Sequence, residues 1–197
     1  MFLLAATGAA DPPAGSILIL GDSLSAGFGI AQQQSWPALL EQRLQTEGYP
    51  YRVANVSISG ETTRGGLSRL APALKQHQPD VVVVALGAND GLRGLPLEQL
   101  RENLNAIIQL SKDNRARVLL LGMQLPPNYG IDYTRTFKQI YADLARQHKV
   151  ALEPFLFAGF ADRRDAFQSD GLHPTAATQP MMLDNVWRGL RPLLRKH

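Results

Sequence analysis

From Ser16 onward the chain alternates short apolar runs with longer stretches in which apolar residues recur every three or four positions. The runs "SILILG" (16–21), "YRVANVSI" (51–58), "DVVVVALG" (80–87), "RVLLLGMQ" (117–124) and "VALEP" (150–154) predict five strands. Val81 to Val84 leave no polar face, the pattern of a central parallel strand covered on both sides. Between the runs, residues 35–48 predict a helix with Ser35 as its cap, Pro37 in its first turn and Gly48 at its end. Residues 62–78 predict a weaker helix, interrupted by Gly65, Gly66 and Pro72. Residues 96–114 predict the most regular one, with Leu97, Leu100, Leu104, Ile107, Ile108 and Leu110 along one side. Residues 133–149 and about 175–194 supply two more. Strand and helix in this alternation predict an α/β chain, with a parallel sheet wrapped on both faces through right-handed crossovers.

Composition narrows the picture only in places. A length of 197 residues suits one domain with a real core, since a chain this long hides roughly 70% of its unfolded surface. There is no cysteine, which excludes disulfides and thiolate metal sites. The net charge of +3 is small and spread along the chain. Its densest cluster, Arg188, Arg191, Arg195 and Lys196, reads as a solvated helix end where cations are favoured. No nucleic-acid motif accompanies it. The start, "MFLLAATGAADPP", is similar to the later part of a secretory signal without its basic beginning. Residues 1–10 are therefore read as a signal-peptide remnant and 11–197 as one domain, exported to the periplasm or beyond.

In a parallel sheet, ligands bind beyond the carboxyl ends of the strands. The loops there read "GDSLSAG", "SISGET", "LGANDGLRG", "MQLPPNYG" and, after a longer connection, "SDGLHPTAATQP". The last holds Asp170 three residues before His173. A carboxylate at that spacing can accept the imidazole Nδ1–H, fix the tautomer and leave Nε2 as a base. With Ser23 as nucleophile these make the three roles of acyl transfer. Such chemistry also needs donors for the oxyanion. The Gly60 N–H, the Asn89 side-chain amide and the Ser23 N–H can supply them. Ser25 is the neighbouring rival to Ser23. Asp22 reads as the residue that holds the loop by accepting backbone N–H groups, and Asp90 as a turn or capping residue.

"GDSLS", Gly60 in "SISGET", Asn89 in "GAND" and "DGLHP" resemble the four blocks of the SGNH, or GDSL, hydrolase family, in the family's order. "WPALL", "LKQHQP", "GANDGLRG" and "LPPNYG" bring the likeness closer to the bacterial periplasmic thioesterase, lysophospholipase and arylesterase subgroup. One departure is Thr178 in "TAATQP", where that pattern has an alanine; it touches none of the expected catalytic atoms. The resemblance implies a flavodoxin-like three-layer α/β/α fold around a five-stranded parallel sheet. It implies Ser23 as nucleophile, His173 as general base and then acid, and Asp170 as its orienting partner. Ser23, Gly60 and Asn89 then form the oxyanion hole. Broad activity on acyl esters and thioesters follows, with loops near Asn89 and "LPPNYG" shaping the acyl groove.

Leu92, Leu95 and Leu125 are the apolar residues expected to bind the acyl chain. Expected partners are a small-molecule acyl ester or thioester and transient membrane-lipid contact, with no nucleic acid and the chain a monomer. No cofactor is expected, and no metal, because no spaced His and carboxylate cluster appears. The chain lacks "GxSxG", which argues against the α/β-hydrolase elbow. Two alternatives remain: a carbohydrate O-deacetylase on the same three residues, and a non-catalytic lipid- or glycan-binding module. His173 must be neutral to accept a proton, so activity is expected to fall on the acid side, where imidazoles protonate at about pH 6–7.

Overall fold

The computed structural model describes residues 15–196; the expected signal remnant lies outside the described residues. Five parallel strands form one sheet: β1 Gly15–Gly21, β2 Tyr51–Asn55, β3 Val81–Ala85, β4 Arg117–Leu121 and β5 Ala151–Glu153. Their spatial order is β2-β1-β3-β4-β5. This is the doubly wound flavodoxin-like order, and its switch point lies between β1 and β3. Register follows from the apolar runs: Ile17 pairs with Val81, Ile19 with Val83 and Gly21 with Ala85. Both faces of these strands are buried, as the unbroken valine run requires.

Helices α2 Trp36–Thr46 and α7 Gln179–Leu190 cover one face. Helices α3 Thr63–His77, α5 Leu97–Asp113 and α6 Ile131–His148 cover the other. The expected stripe of α5 points inward, with Leu100, Leu104, Ile107 and Ile108 buried. The buried Gln179 side chain accepts the Trp36 N–H at 3.0 Å and so ties the starts of α7 and α2 together. Among the described residues no helix is long and apolar enough to cross a membrane.

Four local expectations are corrected. Residues 62–78 do not break: α3 runs straight through Pro72. Pro72 lies on the exposed side, so the carbonyl it leaves free faces water, while Leu70, Ala73 and Leu74 hold the helix to the sheet. Ser35 precedes α2 but its hydroxyl donates to the Gln32 carbonyl at 2.7 Å instead of capping the helix. Short helices α1 Ser23–Ala26 and α4 Ala88–Leu92 form where only loops were expected. The second strand ends earlier than its apolar run. Even so, the Val56 N–H still donates to Ile19 at 3.0 Å and the Ile58 N–H to Gly21 at 3.1 Å. That continued pairing keeps the loop holding Gly60 beside the end of β1.

Candidate active site

Each candidate side chain stands where a strand ends. Ser23 opens α1 directly after β1 and is 9% exposed. Asp22 caps that helix, accepting the Leu24 N–H at 3.0 Å, and Gly27 ends it in the left-handed conformation. The sharp turn leaves the Ser23 hydroxyl at the carboxyl edge of the sheet. Asn89 lies in α4, after β3. Asp170 and His173 lie in the connection from β5 to α7.

The hydroxyl of Ser23 lies 2.9 Å from His173 Nε2. His173 Nδ1 lies 2.7 Å from Asp170 Oδ2. The other Asp170 oxygen accepts the N–H groups of Leu172 at 2.9 Å and His173 at 3.0 Å. Those two backbone donors, His173 first, and the imidazole beside them hold the Asp170 carboxyl down to about 2. It therefore stays ionised across the range in which an imidazole titrates, and Nδ1 keeps its hydrogen and its tautomer.

Asn89 Nδ2 donates to the Glu61 carbonyl at 3.0 Å and to Asp22 Oδ2 at 3.3 Å. The amide is thereby aimed beside Ser23. Glu61 follows Gly60, whose φ of +79° turns the loop after β2 back over the site. Arg93 donates to the Gly60 carbonyl at 2.9 Å. The N–H groups of Ser23 and Gly60 make no hydrogen bond within the chain among the described residues. Arg69 braces this end of the sheet, reaching the Val56 carbonyl at 2.5 Å and Glu61 at 2.7 Å.

A cavity of about 550 Å³ opens over Ser23, Asn89 and His173. Leu92 and Leu125 line it. Leu95 does not: it sits in the turn after α4, its N–H bonded to Asp90 and its carbonyl to the Tyr133 hydroxyl at 2.9 Å. The remaining apolar wall was missed in the sequence. Met123, Phe155, Phe157 and Phe167 supply it, and Phe157 packs against Phe155, Phe160 and Phe167 at ring separations of 5.4 to 5.9 Å. The signal was present in "EPFLFAGF" after the fifth strand, a run of aromatics at a strand's carboxyl end. Ser25, the rival nucleophile, is fully buried beneath Gly21 and does not line the cavity. Asp90 caps α3, accepting the Thr63 N–H at 2.9 Å and its hydroxyl at 2.5 Å. Among the described residues no cluster of three or more His, Cys, Asp or Glu side chains could hold a metal ion.

The chain is similar to several known proteins. An esterase, TesA, of Pseudomonas aeruginosa is 49% identical over 91% of this chain and 89% of its own. A thioesterase 1/protease 1/lysophospholipase L1 of Escherichia coli is 43% identical over 92% of this chain and 86% of its own. The crystal structure of a psychrotrophic esterase, EstA, from Pseudoalteromonas, inhibited by monoethylphosphonate, superposes with a TM-score of 0.86. It is 36% identical, and the match covers 90% of this chain and 97% of that one. The model of the GDSL-like lipase/acylhydrolase family matches residues 19–179. The chain belongs to that family.

Proposed function

We propose that this protein hydrolyses acyl esters and acyl thioesters through an acyl-enzyme on Ser23. The observation that carries the reading is the unbroken line of hydrogen bonds from Asp170 through His173 to Ser23, opening on an apolar cavity. Ser23 Oγ attacks the substrate carbonyl while His173 Nε2 takes its proton. Asp170, ionised and bonded to Nδ1–H, steadies the imidazolium. The oxyanion meets the N–H groups of Ser23 and Gly60, which have no other acceptor among the described residues, and the Asn89 amide. Of the two Asn89 bonds, the longer one to Asp22 is the one that yields. Collapse of the tetrahedral species expels the leaving group, protonated by His173 if it is an alkoxide; a thiolate needs less help. Water, deprotonated by His173, then attacks the acyl-enzyme, and Ser23 recovers its proton as the acid departs.

Leu92, Leu125, Met123, Phe155 and Phe157 give the acyl chain an apolar bed, in keeping with the relatives named an esterase and a thioesterase/lysophospholipase. In this reading residues 11–197 act as one domain, as a monomer and outside the cytoplasm, with transient access to membrane lipid. A carbohydrate O-deacetylase would use the same three residues; the apolar wall favours a longer acyl chain, although Gln124, Asp162, Arg163 and Arg164 also line the cavity and are the groups a sugar would meet. Ser23→Ala is expected to abolish turnover of p-nitrophenyl butyrate and labelling by a fluorophosphonate while circular dichroism is unchanged. Ser25→Ala is expected to keep both. An adduct mapped by mass spectrometry to Ser25, or turnover that survives Ser23→Ala, overturns the reading.

A further inference from the structure

Residues 22–30 and 164–175 meet at the Ser23–His173 bond, and one side chain joins the two segments beside it. Gln168 Nε2 donates to the Phe28 carbonyl at 2.9 Å and to the Pro174 carbonyl at 3.2 Å. The Gln168 backbone N–H donates to the His173 carbonyl at 2.8 Å. Phe28 in turn donates its N–H to the Ser23 carbonyl at 3.2 Å. Its ring lies on the imidazole of His173, 4.4 Å between centroids and tilted by 36°. Apart from Ser23–His173 itself, Gln168–Phe28 is the hydrogen bond that crosses between these segments among the described residues.

Two further observations fit a dedicated role. Gly29 has a φ of +72°, and a Cβ there would collide with the Gln168 amide oxygen, so the nucleophile segment leaves room for this side chain. Phe28 is 48% exposed, so burial does not explain a large apolar ring at this position. Ordering a glutamine side chain costs rotamer entropy, and an exposed loop gains little from it unless the order serves something else. The base-bearing loop is itself open to solvent, with Asp170 37% exposed at its side chain. Without a tie to the nucleophile segment, the imidazole is free to drift from the hydroxyl.

We propose that Gln168 is a positioning residue for acyl transfer: by pinning Phe28 to the backbone of His173 and Pro174, it sets the distance and angle between Ser23 Oγ and His173 Nε2. It does not line the cavity and touches no reacting atom. Its effect is therefore on kcat and not on substrate binding. A displacement of about 1 Å in such a pair costs on the order of 10²-fold in rate. The proposal rests on the acyl-enzyme reading above.

Gln168→Leu removes both donated bonds at similar volume. The expected result, at a temperature where near-ultraviolet circular dichroism matches the parent, is a fall in kcat of roughly 10- to 100-fold with KM within about twofold, and an equal slowing of fluorophosphonate labelling. A kcat within about threefold of the parent, or a loss confined to KM, overturns the proposal. If the leucine variant does not fold, Gln168→Glu gives a second measure. Its carboxylate faces two carbonyl oxygens with no hydrogen to offer, whereas its neutral acid can donate one. The deficit in kcat relative to the parent should therefore shrink as pH falls from about 8 to about 5; a deficit constant with pH overturns the proposal. Ser23→Ala and His173→Ala measured alongside separate the two ideas. Full turnover in either defeats the acyl-enzyme reading itself. Their inactivity together with an unimpaired Gln168→Leu defeats the positioning role alone.

Discussion

Asp22 is 1% exposed and sits between Ser23 and the Asn89 amide. Burial pushes its carboxyl up from 3.8 to about 7, against the pull of the Leu24 N–H, the nearby His173 and the Asn89 amide. The folded protein thus binds this proton more tightly than the unfolded chain does. Stability from this group is present at low pH and is lost as pH rises through the window from about 4 to about 7. Asp22→Asn cannot ionise, though its new NH₂ opposes Asn89 Nδ2 and subtracts a constant amount. Measured by urea unfolding, the stability of Asp22→Asn relative to the parent should improve by on the order of 2–4 kcal/mol between about pH 4 and about pH 8. A difference flat with pH shows that the carboxyl is already ionised at pH 4. Asp170 behaves oppositely. Its carboxyl, held near 2, keeps its stabilising contribution until the medium is far more acid. In the proposed mechanism Asn89→Ala removes one of three oxyanion donors and should lower kcat roughly 10²–10³-fold with little change in KM, read from steady-state kinetics. The motif blocks singled out Ser23, Asp170, His173, Gly60 and Asn89 as candidates because each carries a residue type with distinctive chemistry, and the fold joins the first three by hydrogen bonds. Gln168, Phe28 and the link from Asp22 to Asn89 stayed hidden. Their roles come from tertiary contacts across 140 and 67 positions, which no local pattern records.

Helix α3 depends on a partner from another element. Asp90 in α4 satisfies the first N–H of α3 and the Thr63 hydroxyl, and Asn103 of α5 adds a donor to that hydroxyl at 3.1 Å. The network is buried, with Asp90 3% exposed and Thr63 fully enclosed. Asp90→Ala strands two donors and should cost about 2–3 kcal/mol, read as a lower urea midpoint with unchanged m-value; a cost below about 0.5 kcal/mol means that water replaces the carboxylate. The five strands and five long helices were legible because their apolar periods are strong. The two short helices were not, since four or five residues rich in Gly, Ser and Asn hold no period to detect. Pro72 misled for a related reason: its helix-breaking tendency is local, whereas the packing of Leu70 and Leu74 that overrides it is not.

The order of the strands places the loops after β1, β2 and β3 side by side, and the walls of the cavity come from the loops after β3, β4 and β5. The nucleophile therefore stands at one end of a trough that runs across half the sheet. A longer acyl chain buries more methylenes in it, each contributing up to about 0.8 kcal/mol, or about fourfold. Across a series of p-nitrophenyl esters, kcat/KM should rise from acetyl towards medium chains and then level off. A profile that peaks at acetyl removes the acyl-trough assignment and favours a deacetylase. The three layers could be inferred from the alternation of elements, but the aromatic wall could not be assigned, because it lies in an irregular connection after the shortest strand.

Ser23 and His173, hydrogen-bonded in the fold, are 150 positions apart in the chain. A chain still leaving the ribosome, with β1 made and residue 173 not yet synthesised, carries an alcohol no more reactive than any other serine. In the proposed mechanism hydrolytic power arrives only once residue 173 has been made and its loop has docked beside Ser23, so a copy that is unfolded, or cut before that loop, carries none.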